Sequence, residues 1–287
     1  MVKIIIYLKA LKRLIKYRSL KKAIFFIYEQ DMDVSKYDND MLMAQLGYFG
    51  HHTEKVLKHN NRGNRGKNKR DKLELLLREF QKRDIKEPKV VEWAKDLIEY
   101  YDNNKDIYIK NIDKAEAYPQ AKEILDFIKQ RTTTRFWQPK DIDDHIIKDI
   151  LEVAMSSALS CNRQTIRFSV VNNRVENMIV GDSNNKSMLD KAPIVIYVAE
   201  DERFFNDLFE TALDVGGVCA TMITAAHFYG IEGTWIYQDD YYCNTKLRDK
   251  LGFSKNHKIY SVVTLGYPMD QQLKPPRFGF VYANKKQ

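Results

Sequence analysis

With 287 residues, 44% of them hydrophobic, the chain is long enough to bury its own core as one large domain or two modest ones, and it requires neither a disulfide framework nor a structural metal. Its three cysteines, Cys161, Cys219 and Cys243, lie far apart, which excludes a CxxC metal pair and fits a reducing, cytoplasmic setting. The net charge of +8 is uneven: residues 1–30 carry eight Lys and Arg against Glu29 alone, residues 54–72 carry eight against Glu54 and Asp71, and the remainder is mildly acidic. No zinc-finger spacing or aromatic RNA-recognition motif accompanies this basicity, so nucleic acid is not indicated as a partner.

In chain order, the apolar run Ile4–Leu8 is stopped by Lys9, too soon for a signal-peptide core or a membrane span. Ile4, Leu8, Leu11 and Ile15 share one helical face while Lys9, Lys12, Arg13 and Lys16 fall largely off it. The spacing predicts a basic amphipathic helix, which either packs on the chain's own core or lies on an anionic membrane. Helices are expected around Asn39–His59, Lys69–Lys82 and Pro88–Tyr101. The joint HNNRGNRGKNKR has no apolar residue to bury and reads as an exposed loop, either simply solvated or a clamp for phosphate or another polyanion. His51, His52 and His59 lack acidic or cysteine neighbours at ligand spacing, and no metal site is expected. Residues 1–120 thus read as a basic, mainly helical module, separable from the rest of the chain.

Past residue 120 the texture changes. YPQAKEILDFIKQ reads as a helix, RTTTRFWQPKDI comes after it, and Ile146, Ile147, Ile150, Leu151 and Ala154 repeat at helical spacing behind Asp141, Asp143 and Asp144. A polar joint, SCNRQ, leads into strand-like IRFSVV and APIVIYVAE. A long helix through Asp214–Tyr229, a strand near Thr234–Tyr237 and strand-like IYSVVTLGYP complete one mixed, layered domain over 121–287. Glu232 and Gly233 read as the turn before the third strand, and Cys161 as a buried structural thiol. No Ser, Cys or His constellation suggests a protein nucleophile, and no G-x-G-x-x-G suggests a Rossmann domain. By itself, Asn162 could merely close the preceding helix.

The ordered set R-x-T-x-R-F at Arg131–Phe136, S-C-N-R-Q at Ser160–Gln164, K-A-P at Lys191–Pro193, D-V-G-G at Asp214–Gly217, A-A-H-x-x-G at Ala225–Gly230, and L-G-Y-P followed by K-P-P-R at Leu265–Arg277 resembles the FMN-dependent nitroreductase family over about residues 125–287. The resemblance implies an α+β, three-layer fold with a central mixed, largely antiparallel sheet flanked by helices, here with an N-terminal helical extension. It implies FMN as cofactor, with Arg131 and Thr133 holding the phosphate, Arg135 near the pyrimidine edge of the ring, and Asn162 and Gln164 presenting amides to the ring and ribityl chain. Backbone N–H groups of the Ile236–Gln238 stretch, Tyr237 and Gln238 included, would face the flavin N5, and Lys274 and Arg277 would join the phosphate site. Two departures stand out: Ala158-Leu159 replaces the family's Pro-Ser, and Thr165-Ile166 its Pro-aromatic. The implied activity is an oxidoreductase in which NADH or NADPH binds transiently and a small electron-poor or carbohydrate-linked acceptor is reduced, in a homodimer with FMN between subunits. The F-G-H-H-T-E-K stretch resembles extensions on nitroreductase-like proteins encoded with surface-polysaccharide genes, which implies a role in that metabolism. Two other readings remain open: flavin-dependent oxidation or fragmentation without a nicotinamide, and a non-catalytic scaffold acting through the basic N-terminal module.

Overall fold

The computed structural model of the chain describes residues 2–17, 27, 33–57, 63–103, 118–172, 189–204, 208–238 and 245–269. The predicted amphipathic helix is α1 (Val2–Tyr17), and three longer apolar patterns become α2 (Asn39–Leu57), α3 (Lys67–Lys82) and α4 (Pro88–Asp102). Asp38 opens α2 by accepting the Met41 N–H at 2.8 Å, and Pro88 opens α4, where its missing N–H costs nothing. Helices α2–α4 close on one another through Leu42, Leu46, Phe49, Leu73, Leu76 and Phe80, all fully buried. Part of the basic run assigned to a loop is helical, because α3 already starts at Lys67; only Gly63–Gly66 are turn, and residues 58–62 lie outside the described ones. Among the described residues no helix is long and apolar enough to cross a membrane.

The second half builds a separate core from α5 (Ala121–Gln130), α6 (Asp144–Met155), β1 (Ile166–Asn172), β2 (Ile194–Asp201), α7 (Leu208–Phe228), β3 (Glu232–Tyr237), α8 (Thr245–Lys250) and β4 (His257–Gly266). The four strands form one sheet in the order β1-β2-β4-β3, every neighbouring pair antiparallel. The parallel component expected of a mixed sheet is, among the described residues, a single isolated bridge, Thr133 to Gly233. All of β2 is buried because both of its faces are covered. Ile194, Ile196 and Val198 join the core of α6 and α7, while Val195, Tyr197 and Ala199 pack with Leu251 and Phe253, just after α8. The result is the layered α+β arrangement expected. The short α8 is an addition, invisible in the sequence because six residues with one interior apolar side chain carry no periodic signal.

The reading of Glu232 and Gly233 as a turn is corrected. Gly230, at φ +68°, ends α7 in the left-handed conformation that glycine adopts freely, so the chain has already reversed by Ile231. Glu232 and Gly233 are the first residues of β3, and Gly233 is required there because a Cβ would strike the Thr264 carbonyl. Trp137 locks the preceding segment onto this corner, its indole N–H donating to the Glu232 carbonyl at 3.1 Å.

The two cores touch through specific contacts. Arg203 grips Asp201 and reaches Asp38 at 2.7 Å, Arg167 reaches Asp40 at 2.8 Å, and Phe204 is buried within the α2–α4 core. Burial opposes the charge on Asp38, but the Arg203 guanidinium and the capped N–H together hold its carboxyl below the usual range.

A composite cavity at the Ser160–Gln164 loop

Helix α6 ends at Met155, and the chain then enters a 3-10 turn, Ser160–Asn162. Three of the residues here have left-handed backbones without being glycine: Cys161 (φ 51°), Asn162 (φ 53°) and Gln164 (φ 53°). Such clustering is held by its surroundings or not at all, and it concentrates at functional sites. The anchor is Asp214 of α7, whose carboxylate accepts the Ser160 N–H at 2.9 Å and the Ser160 hydroxyl at 2.8 Å. Burial pushes the Asp214 carboxyl up, and the two Ser160 donors pull it back. Arg163 points into the protein, 4% exposed, within 3.4 Å of Glu210 and over the Tyr48 ring. Cys161 is only partly buried, packed against the α2–α4 core, because the left-handed turn lifts it between the two cores; the expectation of a buried thiol is corrected accordingly. Nor does Asn162 close a helix: it stands well past Met155, and its side-chain carbonyl accepts from the Gln164 amide at 3.1 Å.

Asn162 and Gln164 line a cavity of about 300 Å³ whose opposite wall comes entirely from the N-terminal helices. Its apolar side is Met43, Phe80, Val90 and Trp93; Glu87, Lys89 and Arg163 add charge. Two glycines of α2 shape it. A Cβ at Gly47 would collide with the Asn162 carbonyl oxygen, and one at Gly50 would collide with the Trp93 indole. The i, i+3 spacing puts both on one helix face, a notch into which the loop and the indole fit. Sequence reasoning missed Gly47, Trp93 and the anchoring role of Asp214; the signal was the glycine pair inside an otherwise apolar helical pattern.

The remaining predicted residues lie elsewhere. Thr133 bridges to Gly233 at the start of β3, with the Thr134 carbonyl accepting the Thr234 hydroxyl at 2.6 Å, and Arg131 donates to the Thr132 carbonyl at 2.7 Å. Beside them Glu232 and His227 are hydrogen-bonded across 2.6 Å, with the other His227 nitrogen 3.0 Å from the Phe127 carbonyl. Burial raises the Glu232 carboxyl, and the neighbouring His227 and Arg131 oppose the rise. Arg135 is exposed. Tyr237 and Gln238 sit at the far end of β3, Tyr237 exposed and Gln238 buried with its N–H on the Tyr260 carbonyl. Lys274 and Arg277 lie outside the described residues.

Strand order and register therefore put the loop before β1 and the segment beside the start of β3 at diagonally opposite corners of the sheet. Three strand spacings are roughly 14 Å and six residues of strand roughly 20 Å. One chain joins Asn162 to Gln164, and Arg131 to Thr133, but keeps the two pairs apart.

No protein-family model matches the chain. A protein of Archaeoglobus fulgidus named "Putative NADH dehydrogenase/NAD(P)H nitroreductase" is 29% identical over 154 residues, which are 52% of this chain and 88% of that protein. One of the same name from Methanothermobacter thermautotrophicus is 25% identical over 150 residues, 52% of this chain and 78% of the other. A crystal structure of a protein so named from Bacteroides thetaiotaomicron superposes with a TM-score of 0.50 at 21% identity, covering 57% of this chain and 98% of that one. This chain has a nitroreductase-like fold. The similarity takes in about half of its length.

Proposed function

We propose that the chain is an FMN-dependent oxidoreductase that works as a pair of identical subunits. The observation that carries this reading is the strained amide pair, Asn162 and Gln164, anchored by Asp214 at the edge of a cavity. An amide both donates and accepts, which suits a flavin ring edge bearing both kinds of group. Arg131, Arg135 and the Thr133 hydroxyl supply cations and a donor suited to a phosphate dianion, and Lys274 and Arg277 would add to them. The donor set thus fits FMN, provided that the amides come from one copy and the cations from another.

When bound, FMN relays a hydride from NADH or NADPH to an electron-poor acceptor, the acceptor also taking one proton from solvent. The chain's own part is positional. Asp214 keeps the loop in its left-handed form, Arg163 is tied inward and leaves the two amides facing the cavity, and α2 and α4 keep water from that side. Residues 1–120 act in this reading as a unit with its own core, and the setting is cytoplasmic. Helix α1 adds a peripheral membrane contact: Tyr7, Leu8, Leu11 and Ile15 are all more than half exposed beside exposed Lys9 and Lys12.

Complementation between subunits tests the assembly. Arg131→Ala and Asn162→Leu should each strip the homodimer of FMN, seen as loss of the flavin absorbance. In a heterodimer of the two variants one of the two sites unites Arg131 with Asn162, and about half of the dimers in an exchanged equal mixture are heterodimers, so mixing should restore about a quarter of the binding. No restoration, in a mixture shown to exchange subunits, would place both residues in one chain's site or in none.

A further inference from the structure

We infer that His227 and Glu232 are positioning residues for the phosphate-holding segment: they form a clasp that fixes the end of α5 on one side and the main chain at Thr132 on the other, so that Arg131 and Thr133 are presented together. The inference rests on the flavin reading for the word phosphate, while the clasp stands on its own geometry. The need for it arises from α5. None of the side chains of that helix is buried, so packing alone ties it only loosely to the sheet. Its last turn also leaves carbonyls without a donor from the helix. The Arg131 N–H bonds the Ile128 carbonyl at 3.2 Å, and the Phe127 carbonyl takes His227 Nε2 at 3.0 Å. The Phe127 ring stacks on the same imidazole, with centroids 4.4 Å apart and planes 28° from parallel.

The other edge of the imidazole faces Glu232, with Nδ1 2.6 Å from the carboxyl and the two side chains only 11% and 10% exposed. The Thr132 main chain is hydrogen-bonded to that carboxyl as well. Glu232 and Gly233 then hold the rest of the segment, through the Trp137 indole on the Glu232 carbonyl and the bridge from Thr133 to Gly233. From Phe127 to Trp137 the chain is thus pinned to two consecutive residues of β3, with His227 as the strut between helix and strand. The strut depends on hydrogens. A carbonyl only accepts, so Nε2 carries one, and the bond to Glu232 needs one more, on Nδ1 or on the carboxyl. Glutamine at 232 supplies that hydrogen from its amide to a neutral ring, and its oxygen still accepts from Thr132. Leucine, of similar size, does neither.

The test titrates the full chain with FMN and with riboflavin, which lacks the phosphate, by flavin fluorescence, and measures amide hydrogen exchange over residues 127–133 without ligand. His227→Leu and Glu232→Leu should each weaken FMN about tenfold and riboflavin by less than about threefold. Exchange over 127–133 should accelerate in both. Glu232→Gln, which keeps every hydrogen bond of the clasp, should hold FMN within about threefold of the parent and leave the exchange slow. Unchanged FMN affinity in both leucine variants would overturn the assignment. FMN and riboflavin weakened together would also overturn it, since the pair would then serve the fold in general, and so would a glutamine variant as impaired as the leucine one, since the bonds would then not be what matters. Faster exchange in the leucine variants of a chain that takes up no FMN at all would uphold the clasp and defeat the flavin reading instead.

Discussion

Cys161, Asn162 and Gln164 hold backbone angles that ordinarily cost about 1–3 kcal/mol each outside glycine. The Asp214 carboxylate and the packing of Gly47 against the loop are what sustain them. Gln164→Gly should therefore separate stability from function: the melting temperature should rise, by the equivalent of about 1 kcal/mol, while FMN retention falls because the amide is gone. A lower melting temperature in that variant would mean that the loop is not strained at this position. A second residue sets the pH response. Glu200, fully buried on β2, has its carboxyl pushed up to about 9 by burial, with the Thr165 hydroxyl donating to it at 2.8 Å and opposing the shift. Its folded form keeps its proton where the unfolded chain, with a carboxyl near 4.5, has lost it. This contribution to stability is therefore complete below about pH 4.5 and is lost as pH rises toward 9. Thermal unfolding measured across that window should show falling stability in the parent and a flatter profile in Glu200→Gln; parallel profiles would remove Glu200 from the account.

At the scale of elements, most of the architecture is legible in local patterns. The helical periodicity of α2–α4 and α6, and the unbroken apolar run of β2, each fit one environment only. Two things are not. Glycines at 47 and 50 look like weak points of a helix until the partners that occupy their missing side chains are known. The buried Glu200 closes an apolar run, where a carboxylate would ordinarily mark the strand's exposed end. Helix α1 is amphipathic as its spacing predicts, and among its described side chains only Ala10 is buried, packed with Leu14 and Ile27. Its outward apolar row with Lys9 and Lys12 leads to a direct expectation: the chain should float with vesicles containing anionic lipid, release as salt is raised, and fail to float after Leu8→Ser with Leu11→Ser. Equal recovery with neutral and anionic vesicles would exclude the charge-assisted contact.

Over the whole molecule, short motifs name the candidate residues but not their grouping. Arg131, Thr133, Asn162 and Gln164 all stand in such motifs, and motifs carry no strand order. Only the β1-β2-β4-β3 sequence reveals that the Arg131–Thr133 pair and the amide pair occupy opposite corners. The N-terminal helices share a wall with the amides through Gly47 and Trp93, a meeting that the composition break near residue 120 does not announce. The meeting of Gly47 with Asn162 is lopsided in a way that bears on inheritance and engineering alike. What presses on position 47 is the main-chain oxygen of residue 162, an atom that every amino acid carries. Changing residue 162 can never make room for a side chain at 47, whereas a side chain exchanged at 162 meets no obstacle from position 47 as long as 47 stays bare, only the left-handed backbone that it has to adopt. The amide can be retuned one letter at a time; the helix beneath it cannot, and a lineage or a library that alters the chemistry of this loop has to do so on an unchanged glycine floor.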